Sequence, residues 1–340
     1  MNLLSPEELA KLVKRHGFDR YILDLIDVLK EDFSRWNEFD KIPRLAFHVP
    51  DGVIELMPIA DKKLFSFKYV NGHPKNPLFN KSTVVATGQL SRIEDGFPLM
   101  FSGMTIPTAL RTAATSALAS DLLARKDART IALIGTGAQS EFQVLAHKVI
   151  RDIKTVRYYD IDAKAMNKFA NNMRSSDLEL IACDSNEEAV KGSDIIIVCT
   201  ACKQHVDVIL NDWVRPGMHI NGLGGDCPGK TEVELSVLDR AKIVVEFFDQ
   251  SLIEGEIQRY SRQKAEKKVY AELWQLITGD KVGREHDQEI TLFDSVGFAL
   301  EDFSILRFTY QLCQKYHIGE FVDIIPPLQD PKDLFSILNV

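Results

Sequence analysis

The residues of this chain with the type and spacing to do chemistry begin with a glycine pair, Gly135 and Gly137. They lie in Ile131-Ala-Leu-Ile-Gly135-Thr-Gly137-Ala138-Gln139-Ser140. Four apolar residues, a glycine turn and a helical repeat (Phe142, Leu145, Ala146, Val149) make the strand–turn–helix setting that binds a dinucleotide pyrophosphate. Gly135 permits the tight turn, and Gly137 lets the backbone approach the phosphates. Ser140 stands where the fingerprint has its third glycine, and a lone glycine-rich turn is often only a turn. Its context argues for more. A second apolar run ends in Asp160, about 25 residues after Gly135, near the spacing expected of a ribose-binding carboxylate. Such an acid favours NAD over NADP, because it would repel a 2′-phosphate. Apolar runs at 194–200 and 218–225 continue the alternation. Together these features read as a Rossmann domain.

A second group is polar residues inside short strands. In Leu64–Val70 the aromatics Phe65, Phe67 and Tyr69 share one face and Lys68 falls on the other. Glu55 likewise sits between Val53 and Met57 on one face. For either residue alone, the plainer reading is a solvated outer face. Arg111 opens a helix of small residues, as a surface charge or as an anion clamp at the helix N-terminus. A third group is the loop 221–232, where Gly222, Gly224 and Gly225 lead into Asp226. Glycines here mark backbone that must come close to something. Asp226 is either a turn-former or an acid/base at the edge of a parallel sheet, where ligands bind in this architecture. Cys199-Thr-Ala-Cys202 spells C-x-x-C, but it falls at a strand end, where two small residues beside a cofactor is the better reading. The histidines show no metal-ligand spacing, so no metal is expected.

The elements that must position these groups form two units. Residues 5–38 read as two amphipathic helices, the first capped by Ser5 with Glu8 in the reciprocal position. Short alternating strands follow at 44–49, 53–57, 64–70, 83–90 and 98–102, an antiparallel meander. The expected boundaries are 1–120 with 318–340 for this unit and 121–317 for the Rossmann unit. The proline-containing tail is expected to fold back over the first unit. The fold class is therefore α/β, a Rossmann domain beside an α+β antiparallel-sheet domain. A net charge of −8 argues against nucleic-acid or anionic-membrane partners. No apolar run approaches the roughly 20 residues of a membrane helix. Five cysteines, an odd number, suggest no disulfide framework. With no signal peptide evident, the cytoplasm is the default location.

These motifs together resemble the ornithine cyclodeaminase/μ-crystallin family. The runs that carry the resemblance are Gly52–Pro58, Phe67–Pro74, Leu110–Thr115, Ile134–Glu141, Gly224–Glu232 and Phe293–Gly297. The run Gly-Gly-Asp-Cys-Pro-Gly-Lys-Thr-Glu is far more discriminating than the glycine fingerprint. The resemblance implies conversion of L-ornithine to L-proline and ammonia, with NAD regenerated in each turnover. Arg44, Lys68 and Arg111 would converge on the substrate carboxylate, with Val296 beside its side chain. Three such cations argue for a bound anion. Glu55 and Asp226 would face the amino groups, Asp226 as general acid/base. Cofactor contacts would come from Thr83, Arg111, Gly135, Gly137, Ala138, Gln139, Asp160, Thr200, Gly222, Leu223, Gly224, Gly225, Lys230 and Ser295. The resemblance also implies a small amino-acid substrate and a homodimer joined through the antiparallel sheet. Lysine cyclodeaminase or ketimine reductase activity on the same site, or a crystallin-like dinucleotide binder without turnover, remain as alternatives.

Overall fold

A computed structural model of the chain describes residues 1–201, 205–225 and 227–338. The N-terminal part comprises β1 (Asn2–Leu4), α1 (Pro6–His16) and α2 (Phe18–Ser34). Then come β2 (Asp40–Lys41), β3 (Leu45–Val49), β4 (Gly52–Ala60), β5 (Leu64–Gly72), β6 (Val84–Arg92) and β7 (Pro98–Gly103). The long helix α3 (Thr105–Leu123) leads into β8 (Thr130–Ile134), α4 (Ser140–Ile150), β9 (Thr155–Tyr159), α5 (Ala163–Met173) and β10 (Glu179–Ala182). After α6 (Asn186–Val190), β11 (Ile195–Val198) and β12 (His219–Gly222) follow α7 (Leu235–Arg240), β13 (Lys242–Val245) and α8 (Phe248–Glu254). Last come α9 (Arg262–Lys268), β14 (Val269–Glu272), α10 (Leu273–Thr278), β15 (Thr291–Asp294), α11 (Ala299–Tyr316) and β16 (Glu320–Phe321).

The strands form two sheets. The first runs β16-β1-β7-β6-β5-β4-β2, with β3 also on β4, and is antiparallel except for the parallel β1–β7 pair. The second runs β10-β9-β8-β11-β12-β15-β13-β14 and is parallel throughout. Its central strands, such as Ile195–Val198, are buried on both faces and read as continuous apolar runs, as parallel strands covered by helices do. This is the Rossmann-plus-second-domain architecture read from the sequence. Ser5 accepts from the Glu8 amide and Glu8 reaches back to Ser5, so the expected capping box opens α1.

Two expectations change. Helix α11 falls within 121–317, but it packs on β4, β5, β6 and β7 and against α2 and α3. Its apolar side chains Leu300, Phe303 and Leu306 complete the core of the antiparallel sheet. The reason is pattern: α11 is buried nearly all round, so its sequence does not say which sheet it covers. Second, the sheet presents its faces the other way round from the plainer reading. Register aligns Glu55 with Val70, and Met57, Lys68, Gly88 and Ser102 across four strands, on the face covered by α3 and α11. Leu45, Leu56 and Tyr69 align on the opposite face, which is exposed. Only the start of the tail returns to the first unit, where β16 pairs with β1, and the apolar residues of its proline-containing part, such as Ile324 and Phe335, are exposed. Among the described residues no helix is long and apolar enough to cross a membrane.

Candidate active site

The nucleotide loop leaves β8 between the ends of β9 and β11. Gly135 has φ +93°, and a Cβ there would lie 2.9 Å from the Cys199 carbonyl oxygen, so glycine is required twice over. Gly137 faces open space. Ala138 and Gln139 lead directly into α4, and Ser140 is buried with its Oγ donating to Gly137 O at 2.7 Å. A serine thus closes the turn where a third glycine is usual. Asp160 Oδ2 accepts from Thr136 N at 2.7 Å and from Thr136 Oγ1 at 3.2 Å. A cavity of about 850 Å³ lies against this loop, lined by Thr83, Thr136, Gly137, Ala138, Phe142 and Lys168 among others. Cys199 donates from Sγ to Gly135 O, and burial pushes its thiol up to about 12. A group held so firmly as a thiol is a poor redox nucleophile; Cys202 lies outside the described residues.

A second edge is made by the ends of β11 and β12. Leu223 donates to Val198 O, following Gly222 off the sheet. Lys230 is buried and its Nζ donates to Thr200 O at 3.1 Å, while Thr200 Oγ1 donates to Glu232. Gly224 has the Glu232 carboxylate where a Cβ would be, and Gly225 lies against Glu256. Asp226, between Gly225 and Cys227, lies outside the described residues.

The third part joins the two units. Arg44 Nη1 lies 3.1 Å from Glu55, and its Nε lies 3.0 Å from Glu254. Arg44 Nη2 donates to Val296 O and Gly297 O at 2.5 and 2.6 Å. Lys68 Nζ pairs with Asp302 at 2.8 Å. Arg111 donates from Nη1 to Glu301 at 2.5 Å, and its Nε lies 3.2 Å from Asp302. Gly297, at φ +77°, is where Arg111 comes closest, since a Cβ there would lie 2.6 Å from Nη1. Ser295 Oγ donates to Glu246 at 2.6 Å. The side chains of all three cations are buried, and burial followed by the Arg111 charge depresses the Lys68 ammonium to about 8 against the pull of Asp302.

The structure therefore brings Arg44, Glu55, Lys68, Arg111, Ser295 and Val296 into one cluster, and Gly135–Gln139, Thr83 and Asp160 into another. The expectation that three cations need a bound anion does not hold, because carboxyl groups of the chain already face them: Glu55, Glu254, Glu301 and Asp302. Sequence reading passed over Glu254, Glu301 and Asp302, as well as Glu246, Glu256 and Asp294. Charges embedded in apolar runs, as in Phe298-Ala-Leu-Glu301-Asp302-Phe, were the available signal. Glu256 accepts from the amides of Glu232 and Val233, and Asp294 from those of Glu256 and Ile257. Burial first, then neighbouring negative charge, raises Glu256 well above the carboxylate range and Asp294 to about 7. Such an arrangement can hold a carboxylate on preset cations and keep protons on buried acids beside it.

The model of the ornithine cyclodeaminase/mu-crystallin family matches residues 7–316. The ornithine cyclodeaminase of Agrobacterium fabrum is 49% identical over 335 residues, covering 98% of this chain and 94% of that protein. The Δ(1)-pyrroline-2-carboxylate reductase of Thermococcus litoralis, solved with NADH and L-proline, superposes with a TM-score of 0.88 at 31% identity, over 95% of this chain and 100% of that one. A lysine cyclodeaminase structure, concerned with recognition of L-lysine, L-ornithine and L-2,4-diaminobutyric acid, superposes at 0.93 with 27% identity over 99% of each chain. On these matches, made along nearly its whole length, the chain belongs to the ornithine cyclodeaminase/mu-crystallin family.

Proposed function

We propose that the chain is an NAD-dependent ornithine cyclodeaminase, an ammonia-lyase that closes L-ornithine to L-proline. The observation that carries this reading is the buried cluster of Arg44, Lys68 and Arg111 in a chain 49% identical to such an enzyme over nearly its full length. The nucleotide loop fits the cofactor. Gly137 faces open space at the entry to α4, a cavity lies alongside, and Asp160 stands at the end of β9 for the ribose hydroxyls. Ala138 and Gln139 would hold the pyrophosphate. Thr83, Arg111, Thr200, Gly222–Gly225, Lys230 and Ser295 would hold the rest. Bound NAD supplies a reversible store for the hydride taken from Cα and later returned.

The chain's own residues handle the rest. Arg44, Lys68 and Arg111 fix the substrate carboxylate, trading contacts with their internal acids for contacts with the ligand. Val296 borders the substrate side chain. Loss of hydride leaves a 2-imino acid, whose Cα the neutral δ-amine attacks to form a five-membered ring. Ring closure is intramolecular, so the site's task is to hold a folded conformer. Asp226 takes and returns protons at the nitrogens as ammonia leaves, and Glu55 faces the amino groups beside Arg44.

Incubation with L-ornithine and trace NAD should give proline and ammonia without net NADH, and a deuterium at Cα should be retained. NADH accumulating in step with ammonia would instead make the protein an amino-acid dehydrogenase. Lysine is the second reading, favoured by the 0.93 superposition on the lysine enzyme. One methylene separates the substrates and is worth only about 1–3 kcal/mol, so kcat/KM for the two decides it. The exposed face of the antiparallel sheet, with Leu45, Phe47, Val49, Leu56 and Tyr69, suits a homodimer contact. The buried free thiols Cys183 and Cys313 suit the cytoplasm.

A further inference from the structure

Two buried glutamates stand between the cations without a part in the steps above. Glu246 follows β13, and its carboxylate accepts from Ser295 Oγ at 2.6 Å, Val296 N at 3.0 Å and Gly297 N at 2.7 Å. The turn held in this way offers the Val296 and Gly297 carbonyls to Arg44. Glu301, in the first turn of α11, accepts from Arg111 on Oε2. Its other oxygen, Oε1, is buried and accepts no hydrogen bond of good geometry among the described residues. The Glu301 side chain lies within hydrogen-bond reach of Glu246.

Two carboxylates do not rest against each other in a buried site with both charged; such a pair keeps one proton. Three donors converge on the oxygens of Glu246, which leaves it the better acceptor of the two. An oxygen without a donor, beside an anion, marks Glu301 as the acid. We infer that Glu246 and Glu301 share a single proton, as an acid–carboxylate hydrogen bond that keeps Arg111 and the Ser295–Gly297 turn in register for a ligand carboxylate. The links run Arg44, turn, Glu246, Glu301, Arg111, Asp302, Lys68, so one chain of hydrogen bonds and ion pairs joins all three cations.

The surroundings fit that proton. Burial, then the Glu246 charge, pushes Glu301 well above the carboxylate range, with Arg111 opposing. The other ionisable groups facing the pair are Asp302, next to Glu301 on α11, and Asp294 at the end of β15, which faces Glu246. Both glutamates act through other groups and are positioning residues. Their assignment to carboxylate binding rests on the function proposed above; the shared proton does not.

Infrared spectra of the full-length protein without ligand test the proton directly. Glu301→Gln should abolish one protonated-carboxyl C=O absorption present in the unsubstituted protein. Kinetics with L-ornithine test the positioning. Glutamine can donate to Glu246 and accept from Arg111, so Glu301→Gln should bind ornithine more tightly than Glu301→Ala. The alanine variant, with that link gone, should raise KM at least about tenfold, the worth of one charge-assisted hydrogen bond, with a smaller effect on kcat. Retention of every carboxyl absorption in Glu301→Gln overturns the inference. So does a glutamine variant as weak in binding as the alanine one, since Glu301 would then be needed as a charge. If the unsubstituted protein itself does not bind ornithine while the absorption disappears in Glu301→Gln, the substrate reading fails and the shared proton stands.

Discussion

Replacing Lys68 by methionine should make the protein more stable and less able to bind substrate at once. Lys68 is 1% exposed, and burial together with Arg111 takes its ammonium from 10.5 to about 8 even with Asp302 alongside. At about 1.36 kcal/mol per unit, holding that charge at neutral pH costs the fold roughly 3 kcal/mol relative to the unfolded chain. Methionine fills a similar unbranched volume without charge. It gives up the Lys68–Asp302 hydrogen bond, worth about 1 kcal/mol, while Asp302 keeps Arg111 Nε at 3.2 Å. The expected net gain is about 2 kcal/mol at pH 7. Its pH dependence is the signature. Because the folded value lies below the unfolded one, the native state binds fewer protons between about 8 and 10.5, and wild-type stability recovers as pH rises through that window. The methionine variant lacks this recovery, so its advantage is full below pH 8 and fades towards 10.5. Urea unfolding of both proteins at pH 7 and pH 10 measures the difference, and ornithine kinetics should show a raised KM. A variant less stable than wild type at pH 7, or equally advantaged at both pH values, would refute the reasoning.

Two further outcomes are expected. His147 and His219 are depressed to about 4 and about 3, chiefly by burial, so the fold keeps them neutral and loses stability as pH falls below about 6.5. His147→Gln should flatten the slope of melting temperature against pH between 6.5 and 4, and an unchanged slope would remove His147 from the account. Asp226→Asn should lower kcat for ornithine at least about a hundredfold, with NAD affinity and melting temperature little changed. A variant within a few-fold of wild type would return Asp226 to a turn-forming role.

The parallel sheet and its loop were legible because they are local: four apolar residues, two glycines and an acid about one βαβ unit later carry their own explanation. The cation cluster was legible only in part. Alternation in β4 and β5 told which residues share a face with Glu55 and Lys68, but not what covers that face. The cover is α11, more than 200 residues along, whose Asp302 pairs with Lys68 and whose Glu301 pairs with Arg111. No period within β5 encodes that partner. The same limit applies to Glu246, whose three donors come from a turn about 50 residues downstream.

Preference for NAD over NADP should follow from Asp160, and the geometry raises its expected magnitude. On the proposed assignment the carboxylate faces a ribose diol, and a charge-assisted hydrogen bond there is worth about 1.5–3 kcal/mol, or roughly 10- to 150-fold in affinity. A 2′-phosphate would lose that bond and meet negative charge instead. Arg157 and Lys168 do not offset this, because Arg157 donates to Glu188 O and Lys168 is paired with Glu141. Asp160 also accepts from Thr136 N and Oγ1, so its removal loosens the nucleotide loop as well as the ribose contact. Thr136→Val separates the two effects: it removes the hydroxyl bond and leaves the acid in place. Titration calorimetry should show NAD bound at least about tenfold more tightly than NADP by wild type and by Thr136→Val. Asp160→Ala should lose most of that ratio. Comparable affinities in the wild-type protein would mean that Asp160 serves the loop alone and that the adenosine ribose lies elsewhere.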